Sequence, residues 1–494
     1  MTTTRFASPV FSVSCVRGSS IPEDDFGSSA CDALVAVASG GGSARSGIPN
    51  TVTLLQVDVK GADSGKPVPF ISETPVATFN TGRRLVTQLD VSVSKRRFVA
   101  CTVDAATWML EIVNDDGVKK NSVDKKEKEG KEATSGDGKK DVDGSSGDAS
   151  SASGEKSPAS RRRLKIVSVL ETTTDESESE PAQNIVRFSR LQPHRFAAGG
   201  NDGILRVFDI EGDDGSDPDD AATSVNVVLA CEFKRHTKEI KDLTFHPANE
   251  NIVVSVSIDA TCRVWSLSTM SMLQMLPADT ARNMTYRGCR FSADGMSLLT
   301  LQNPSRRGAS YLVVWRQRAV AAAEGVKNSA DSETTATSAE KEKPIGARGT
   351  FLVHSAVKIA NVPSTGIDAS ADGRAIAISD CSGALSILDQ TSYRFIGKNP
   401  KCHALPITGL TFLGSESSGM ILSSHIATCS MDKSCGVVCV PAPRSSVLVT
   451  IVYIVLLLAV AVGVLFLTAY LACADEVDTD DIFNIYVCAI IRKT

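Results

Sequence analysis

The chain has 494 residues, of which 42% are hydrophobic and 22% are charged, and its formal net charge is −5. This composition is that of a globular protein and excludes wholesale disorder, while the negative charge gives no general basis for nucleic-acid binding. Aromatic residues are sparse at 5%, and the prevalence of small and β-branched residues favours short strands and turns over helices. The 13 cysteines follow no regular spacing, which indicates reduced thiols in the main body.

The first distinctive stretch, residues 39–50, reads Ser-Gly-Gly-Gly-Ser-Ala-Arg-Ser-Gly-Ile-Pro-Asn. It lies between two apolar runs, residues 33–38 and 51–57, which predict buried strands. Consecutive glycines lose much backbone entropy on ordering, so an ordered loop of this kind usually needs positive φ or close approach of another group. The loop is therefore either a structural turn or a binding surface. Ile-Pro stands where a phosphate-binding Walker motif needs Lys followed by Ser or Thr, which argues against a nucleotide cradle.

Further short strands are predicted before a change of composition. Residues 114–163 consist mainly of Lys, Asp, Glu, Ser and Gly, and such a segment has too few apolar side chains to offset the entropy of ordering. We therefore predict disordered insertions at about residues 114–163 and 319–350. The strands predicted before the first insertion are residues 11–16, 76–79, 84–93, 97–103 and 108–112.

An internal repeat follows the first insertion. The same order of strand, turn and strand returns five times, and individual copies close on sequences such as Cys262-Arg263-Val264-Trp265. These copies resemble WD repeats, each of which builds one four-stranded blade of a β-propeller. Three less regular groups of predicted strands before residue 163 are counted as two more blades. The expected fold is an all-β, seven-bladed propeller in which the strand at residues 11–16 completes the last blade.

Several polar residues of the repeats are predicted to be structural. Asp202, Asp259 and Asp432 are placed in the tight turn between the third and fourth strands of their blades, where a short acceptor satisfies turn amides. His236 and His403 begin their repeats, where WD repeats often place a histidine that is hydrogen-bonded within its blade. A role in holding the blades is expected for all five residues rather than a catalytic one.

An apolar segment lies near the end of the chain. Residues 447–472 contain no charged residue, and the run exceeds the roughly 20 residues that a helix needs to cross a bilayer. We predict a transmembrane helix here, with a buried soluble helix as the alternative. Basic residues precede the segment and acidic residues follow it, so residues 1–444 are expected in the cytosol and residues 473–494 in the lumen.

The glycine-rich stretch resembles a known loop. Residues 39–50 look like the Gly-Gly-Gly-Gly-x-x-x-Thr-Gly-x-x-Asn loop of the ER membrane guanine nucleotide exchange factors for the Sar-type GTPase of the COPII coat, the prolactin regulatory element-binding protein family. Ser39 replaces the first glycine of that pattern and Ser46 replaces its threonine. The propeller followed by one membrane span also matches this family, and residues 236–243 resemble its closing-blade segment.

The resemblance implies a function without covalent chemistry. It implies promotion of GDP release and GTP loading on a Sar-type small GTPase, which initiates COPII vesicle coat assembly at the endoplasmic reticulum membrane. It also implies that the loop contacts the GTPase and binds a potassium ion largely through main-chain oxygens, for which Gly41, Gly42 and Asn50 are the candidates. The candidate contact residues are Gly40, Gly41, Gly42, Arg45, Gly47, Ile48 and Asn50.

Other interpretations stay open at this point. A membrane-anchored WD-repeat scaffold or adaptor without exchange activity fits the propeller and the anchor equally well. Contacts with COPII coat components are compatible with the acidic surface loops, and no nucleic-acid partner is expected. A metal site is a weak alternative, because His403, His425, Cys435 and Cys439 are the kinds of side chain that bind zinc.

Overall fold

The computed structural model consists of two compact units, Met1–Val440 and Pro441–Thr494. The described residues are 2–16, 33–42, 47–58, 70–92, 97–115, 163–173, 180–211, 226–318, 350–414, 424–441 and 447–474.

The first unit consists of seven antiparallel sheets, six with four strands and one with five. The chain begins with β1 (Thr2–Arg5), which belongs to the last sheet. Blade 1 contains β2 (Val10–Val16), β3 (Ala33–Ser39), β4 (Asn50–Asp58), β5 (Phe70–Ile71) and β6 (Ala77–Gly82). Blade 2 contains β7 (Val86–Val91), β8 (Arg97–Val103), β9 (Ala106–Asp115) and β10 (Arg163–Thr173).

The remaining five blades follow the repeats of the sequence. Blade 3 contains β11 (Gln183–Phe188), β12 (Arg195–Gly200), β13 (Ile204–Glu211) and β14 (Asn226–Lys234). Blade 4 contains β15 (Ile240–Phe245), β16 (Ile252–Ser257), β17 (Thr261–Ser266) and β18 (Ser271–Pro277). Blade 5 contains β19 (Met284–Phe291), β20 (Ser297–Pro304), β21 (Ser310–Gln317) and β22 (Phe351–Ala360). Blade 6 contains β23 (Ser364–Ala369), β24 (Ala375–Asp380), β25 (Leu385–Asp389) and β26 (Phe395–Asn399). Blade 7 contains β27 (Ile407–Phe412), β28 (His425–Ser430), β29 (Ser434–Cys439) and β1.

The blades form a closed ring. The first strand of each blade contacts the first strand of the next, and β27 of blade 7 returns to β2 of blade 1. The second strands are largely apolar, and all residues of β3, β16 and β24 are buried. Such strands carry apolar side chains on both faces because a neighbouring blade covers each face. The predicted all-β fold with seven blades is confirmed.

The ring is closed by a different strand from the one predicted. β1 pairs with β29, with Thr2 opposite Val437 and Arg5 opposite Ser434, whereas the predicted closing strand at residues 11–16 lies within β2, the inner strand of blade 1. The burial of the two strands explains the difference. β2 is buried along almost its whole length, as an inner strand must be. In β1, by contrast, Thr4 is buried between exposed neighbours, as suits an outer edge strand.

The first predicted insertion begins and ends inside a strand pair. Arg163 of β10 lies opposite Asp115 of β9, so the ends of the predicted segment at residues 114–163 belong to blade 2. The chain between them, residues 116–162, lies outside the described residues. Of the second predicted insertion, residues 319–350, only Thr350 belongs to the described residues. Its carbonyl accepts a hydrogen bond from the amide of Arg318 at 3.0 Å.

In the described part of the second unit, residues 441 and 447–474, the chain forms helix α1 (Val447–Ala474). Its start coincides with the start of the apolar segment at residues 447–472. Side chains are described for residues 455–468, and all of them are exposed. Within the described residues, no helix was identified whose length and apolar character are sufficient for a membrane crossing. The transmembrane span therefore stays a prediction.

Candidate functional site

The candidate site is the loop that connects β3 and β4 in blade 1. Its base is formed by the strand ends, where Ser39 lies opposite Thr51 and their hydroxyl oxygens are 3.2 Å apart. The amide of Gly40 donates to the carbonyl of Pro9 at 3.1 Å, just before β2 begins. The loop is therefore fastened to the first and third strands of its blade before it leaves the sheet.

The side chain of Asn50 organises the described part of the loop. Its Oδ1 accepts from the amide of Gly42 at 3.0 Å, and its Nδ2 donates to the carbonyl of the same glycine at 3.2 Å. The same Nδ2 donates to the carbonyl of Gly82 at 3.1 Å. Asn50 is only 1% exposed, so its amide is a buried polar group that is satisfied within the loop base.

The glycines of the loop are required for two different reasons. A Cβ on Gly40 would lie 2.0 Å from Oδ1 of Asn50, so any larger residue there displaces the amide that organises the loop. Gly42 and Gly47 have φ values of 82° and 72°, a backbone conformation that strains other residues. The close approach and positive φ that three consecutive glycines predict are both present.

The predicted contact residues are brought to one loop as far as they are described. Gly41, Gly42 and Ile48 are half-buried, while Gly47 is exposed. Arg45 lies outside the described residues, together with the rest of residues 43–46. Whether these residues contact a partner stays a prediction.

Three supporting contacts were not predicted from the sequence. Pro9 and Gly82 accept hydrogen bonds from the loop base, and the hydroxyl of Thr81 donates to the carbonyl of Asn50 at 3.1 Å. These residues lie before β2 and at the end of β6, far from the loop in sequence. The sequence gives a weak signal for the last two, because residues 80–82, Asn-Thr-Gly, are a typical turn sequence. In the structure, Gly82 has the positive φ of such a turn, 69°.

The donor set of the loop fits a monovalent cation. The described loop residues, 40–42 and 47–50, carry no ionisable side chain and offer neutral carbonyl oxygens. Neutral backbone oxygens are the ligands of potassium sites in proteins. Divalent metals normally require carboxylates, imidazoles or thiolates. Across the described residues, no group of three or more His, Cys, Asp or Glu side chains is placed to hold a metal ion.

The weak alternative of a His and Cys metal site is wrong. Both ring nitrogens of His403 are occupied within blade 7, by the hydroxyls of Ser434 at 2.8 Å and Thr428 at 2.9 Å. Cys435 is fully buried in the core, whereas Cys439 is exposed. The four candidate residues therefore lie in different environments.

The repeat histidines and aspartates hold their blades, as predicted. In blade 4, Nδ1 of His236 lies 2.9 Å from Oδ2 of Asp259, and its Nε2 lies 2.8 Å from Oγ of Ser255. The indole of Trp265 donates to the same Ser255 hydroxyl at 2.8 Å. These contacts connect the loop before β15 with β16, β17 and the turn between them.

The position of the turn aspartates within the blades was predicted incorrectly. Asp202, Asp259 and Asp432 lie between the second and third strands of their sheets, not between the third and fourth. Their chemistry is as expected, since Asp259 accepts from the amide of Thr261 at 2.9 Å. Burial alone raises the pKa of Asp259, but hydrogen bonds from His236 and Thr261 outweigh it and hold this pKa below its usual range.

The fold and the blade contacts define a seven-bladed WD-repeat propeller. In agreement, the family described as WD domain, G-beta repeat, matches residues 228–266. A solved structure described as "COPII on membranes, outer coat vertex" matches with a TM-score of 0.55 at 10% identity. The match covers 89% of this chain and 86% of the chain in that structure. At that identity the likeness concerns the fold.

Similarity in sequence gives more specific information than the likeness in fold. The chain is 25% identical over 455 residues to the guanine nucleotide-exchange factor SEC12 of Mus musculus, covering 89% of this chain and 92% of the relative. The SEC12 of Rattus norvegicus is 24% identical over the same shares of both chains. SEC12-like protein 2 of Arabidopsis thaliana is 26% identical over 46% of this chain. The chain is thus a distant homologue of SEC12 proteins.

Proposed function

We propose that this chain is a guanine nucleotide exchange factor that promotes GDP release and GTP loading on a Sar-type small GTPase at the endoplasmic reticulum membrane. The observation that carries the proposal is the similarity to a guanine nucleotide-exchange factor along 89% of the chain. The glycine loop at residues 39–50 adds local support, because its backbone is organised by a buried side chain at its base. Loading with GTP in turn initiates COPII coat assembly.

The proposed mechanism is differential binding. A partner that binds the nucleotide-free GTPase more tightly than the nucleotide-bound form lowers the nucleotide affinity by the same factor. Asn50 holds the base of the loop, which leaves Gly41, Ile48 and residues 43–46 to face the GTPase. Because Ile48 is half-buried, it supplies the apolar part of this contact. No covalent bond is made or broken.

A potassium ion is proposed as the companion of this loop. The main-chain oxygens of Gly41 and Gly42 and the amide oxygen of Asn50 are the candidate ligands. When bound, the cation supplies a positive charge that draws these oxygens together. The hydrogen bonds between Asn50 and the amide and carbonyl of Gly42 keep these candidate ligands close to one another.

Membrane attachment completes the proposal. The uncharged run at residues 447–472 is proposed to anchor the protein as a single span, with residues 1–444 in the cytosol and residues 473–494 in the lumen. The side chains described in this run, residues 455–468, are exposed and almost all apolar, which is the surface that lipid favours. Coat components that assemble on the same membrane are the expected further partners.

The test measures nucleotide release. The full chain in liposomes is mixed with a Sar-type GTPase that carries fluorescent GDP, and the release rate is compared with that of the GTPase alone. We expect the wild type to accelerate release at least about tenfold, which corresponds to about 1.4 kcal/mol. Gly41→Asp should abolish the acceleration. Gly308→Asp is the matched control, because Gly308 lies in the equivalent turn between β20 and β21.

The contact surface is tested separately. Ile48→Ala should reduce the acceleration, whereas Leu405→Ala, which truncates a residue that is 47% exposed, should leave it unchanged. Equal rates for the wild type and Gly41→Asp would contradict the role of the loop. No acceleration by the wild type would contradict the proposed function and favour the membrane-anchored WD-repeat scaffold.

A further inference from the structure

The first strands of the seven blades surround a central channel with a cavity of about 140 Å³. Charged side chains line this cavity, and most of them are cationic. The cationic residues are Arg187, Arg190, Lys241, Arg287 and Arg290, the anionic residues are Asp90, Asp242 and Asp368, and the neighbouring titratable residue is His246.

The three carboxylates are already engaged by the propeller itself. Each accepts a hydrogen bond from a backbone amide of the following blade, so blades 2, 4 and 6 are tied to blades 3, 5 and 7. The pairs are Asp90 with Phe188 at 2.9 Å, Asp242 with Cys289 at 3.2 Å, and Asp368 with Phe412 at 3.0 Å. These aspartates therefore stabilise the ring as well as balance charge.

Arg290 takes up much of the remaining carboxylate capacity. Its Nη1 lies 2.7 Å from Oδ2 of Asp242, and its Nε lies 3.2 Å from Oδ1 of Asp368. Both aspartate side chains are 8% exposed. Burial alone lowers the pKa of Arg290, but the two carboxylates outweigh it and raise this pKa. Lys241 is paired with Glu239 outside the cavity.

Two guanidinium groups are left with unused donors. Arg187 approaches Asp242 no closer than 3.7 Å, and its Nε is buried without a hydrogen-bond partner. The guanidinium of Arg287 makes no hydrogen bond or ion pair with any side chain or carbonyl that the structure describes. Burial lowers the pKa of Arg287, and the carboxylates of Asp242 and Glu239 offset this only in part. An under-compensated charge in a confined site is costly unless a counter-charge joins it.

We propose that the central channel binds a small phosphate-bearing anion, held by the guanidinium groups of Arg187 and Arg287. A guanidinium presents its donors in a planar fork that matches phosphate oxygens. The cavity has the volume of several water molecules, which suits an inorganic phosphate or one phosphate group of a larger molecule. The site uses none of the glycine-loop residues, and it does not depend on exchange activity.

The experiment titrates the full purified chain with pyrophosphate in a calorimeter at constant ionic strength. Inorganic phosphate and a soluble inositol trisphosphate are titrated in parallel, to distinguish a free phosphate from a lipid headgroup. We expect the wild type to bind pyrophosphate more tightly than roughly 1 mM. Arg287→Gln should weaken binding at least about tenfold. Arg306→Gln removes an equal charge from an exposed position of the same blade and should leave binding unchanged.

A second variant keeps the test decisive if Arg287→Gln folds poorly. Arg187→Lys retains the charge but loses the buried Nε, and it should weaken binding while the near-ultraviolet circular dichroism stays that of the wild type. Bound pyrophosphate should also raise the melting temperature of the wild type but not that of the binding-deficient variants. Absence of pyrophosphate binding by the wild type would overturn the proposal. Equal affinities for the wild type and both folded channel variants would do the same.

Discussion

The loop between β3 and β4 and the turn between β16 and β17 occupy the same position in their blades but are held in opposite ways. In blade 4, Asp259 and His236 bind each other and close a short turn from charged and hydroxyl groups. In blade 1, the neutral side-chain amide of Asn50 takes this place, and its hydrogen-bond partners are backbone groups. The first arrangement secures a short turn, residues 258–260, whereas the second holds the base of a longer connection, residues 40–49.

The largest effect is expected from the blade 4 network. His236→Ala leaves the Asp259 carboxylate, which is 4% exposed, without its main partner, and should lower the free energy of unfolding by about 3 kcal/mol. The measurement is denaturant unfolding. His354→Ala is the control, because His354 is exposed on β22 and its loss should cost less than about 0.5 kcal/mol. Similar losses for both variants would show that the network does not secure the blade.

A smaller effect is expected at the base of the loop. Asn50→Ala removes the partners of the Gly42 amide, the Gly42 carbonyl and the Gly82 carbonyl, and should cost about 2 kcal/mol. Asn80→Ala is the control, since exposed Asn80 accepts only from the Gly82 amide among the contacts described for its side chain. Its cost should be about 0.5 kcal/mol. If the two variants unfold alike, the loop base is not organised by Asn50.

The histidine of blade 7 predicts a pH dependence. Burial lowers the pKa of His403, and the nearby Asp432 carboxylate offsets this in part. The unfolded chain therefore binds a proton at higher pH than the folded chain. Stability is complete above about pH 6.5, the ordinary value for histidine, and falls as the pH decreases through the folded pKa, by at most about 1.4 kcal/mol per pH unit.

This dependence is measured by urea unfolding between about pH 7.5 and about pH 5, a range that includes the ordinary pKa of histidine. His403→Gln should be less stable at neutral pH but should show a shallower decline on acidification. An unchanged slope would assign the titration to another group. His354→Gln, on the exposed strand β22, should keep the slope of the wild type.

The smallest effect is expected at Gly42, where two variants distinguish a requirement for positive φ from a lack of space for a side chain. Gly42 has a φ of 82°, and a methyl group added to its Cα would have no other atom within 4 Å, so Gly42→Ala should cost only the backbone strain, about 1 kcal/mol. Gly42→Asn should cost less, because Asn tolerates positive φ. Thermal melts of both variants provide the measurement. Equal losses would mean that a contact, rather than the backbone conformation, selects glycine there.

The parts of the fold that could be predicted from the sequence depend on local patterns. The apolar runs on both sides of the glycine loop correspond to β3 and β4, and the repeats correspond to blades, because each blade is built mainly from consecutive residues. The structural role of His236 and Asp259 was also evident from their place in the repeat. The glycines and Asn50 marked a constrained loop.

The parts that could not be predicted depend on distant residues. β1 is too short and polar to be recognised as a strand, and it forms only because β29 offers an unpaired edge. Thr81 and Gly82 reach the loop through β6, which pairs with β4 beside the two-residue strand β5. The surplus of arginine donors in the channel arises from the ring arrangement of β11 and β19, which no single repeat contains.

The pairing of β1 with β29 has a consequence for the order of folding. Thr2 lies opposite Val437, so β1 meets its partner strand only after almost the entire propeller has been synthesised. β1 therefore stays unpaired until blade 7 has been synthesised, and closing so long a segment carries an entropy cost that local hairpins avoid. An amino-terminal fusion placed directly before Thr2 would act on this last step, far from the glycine loop and the channel.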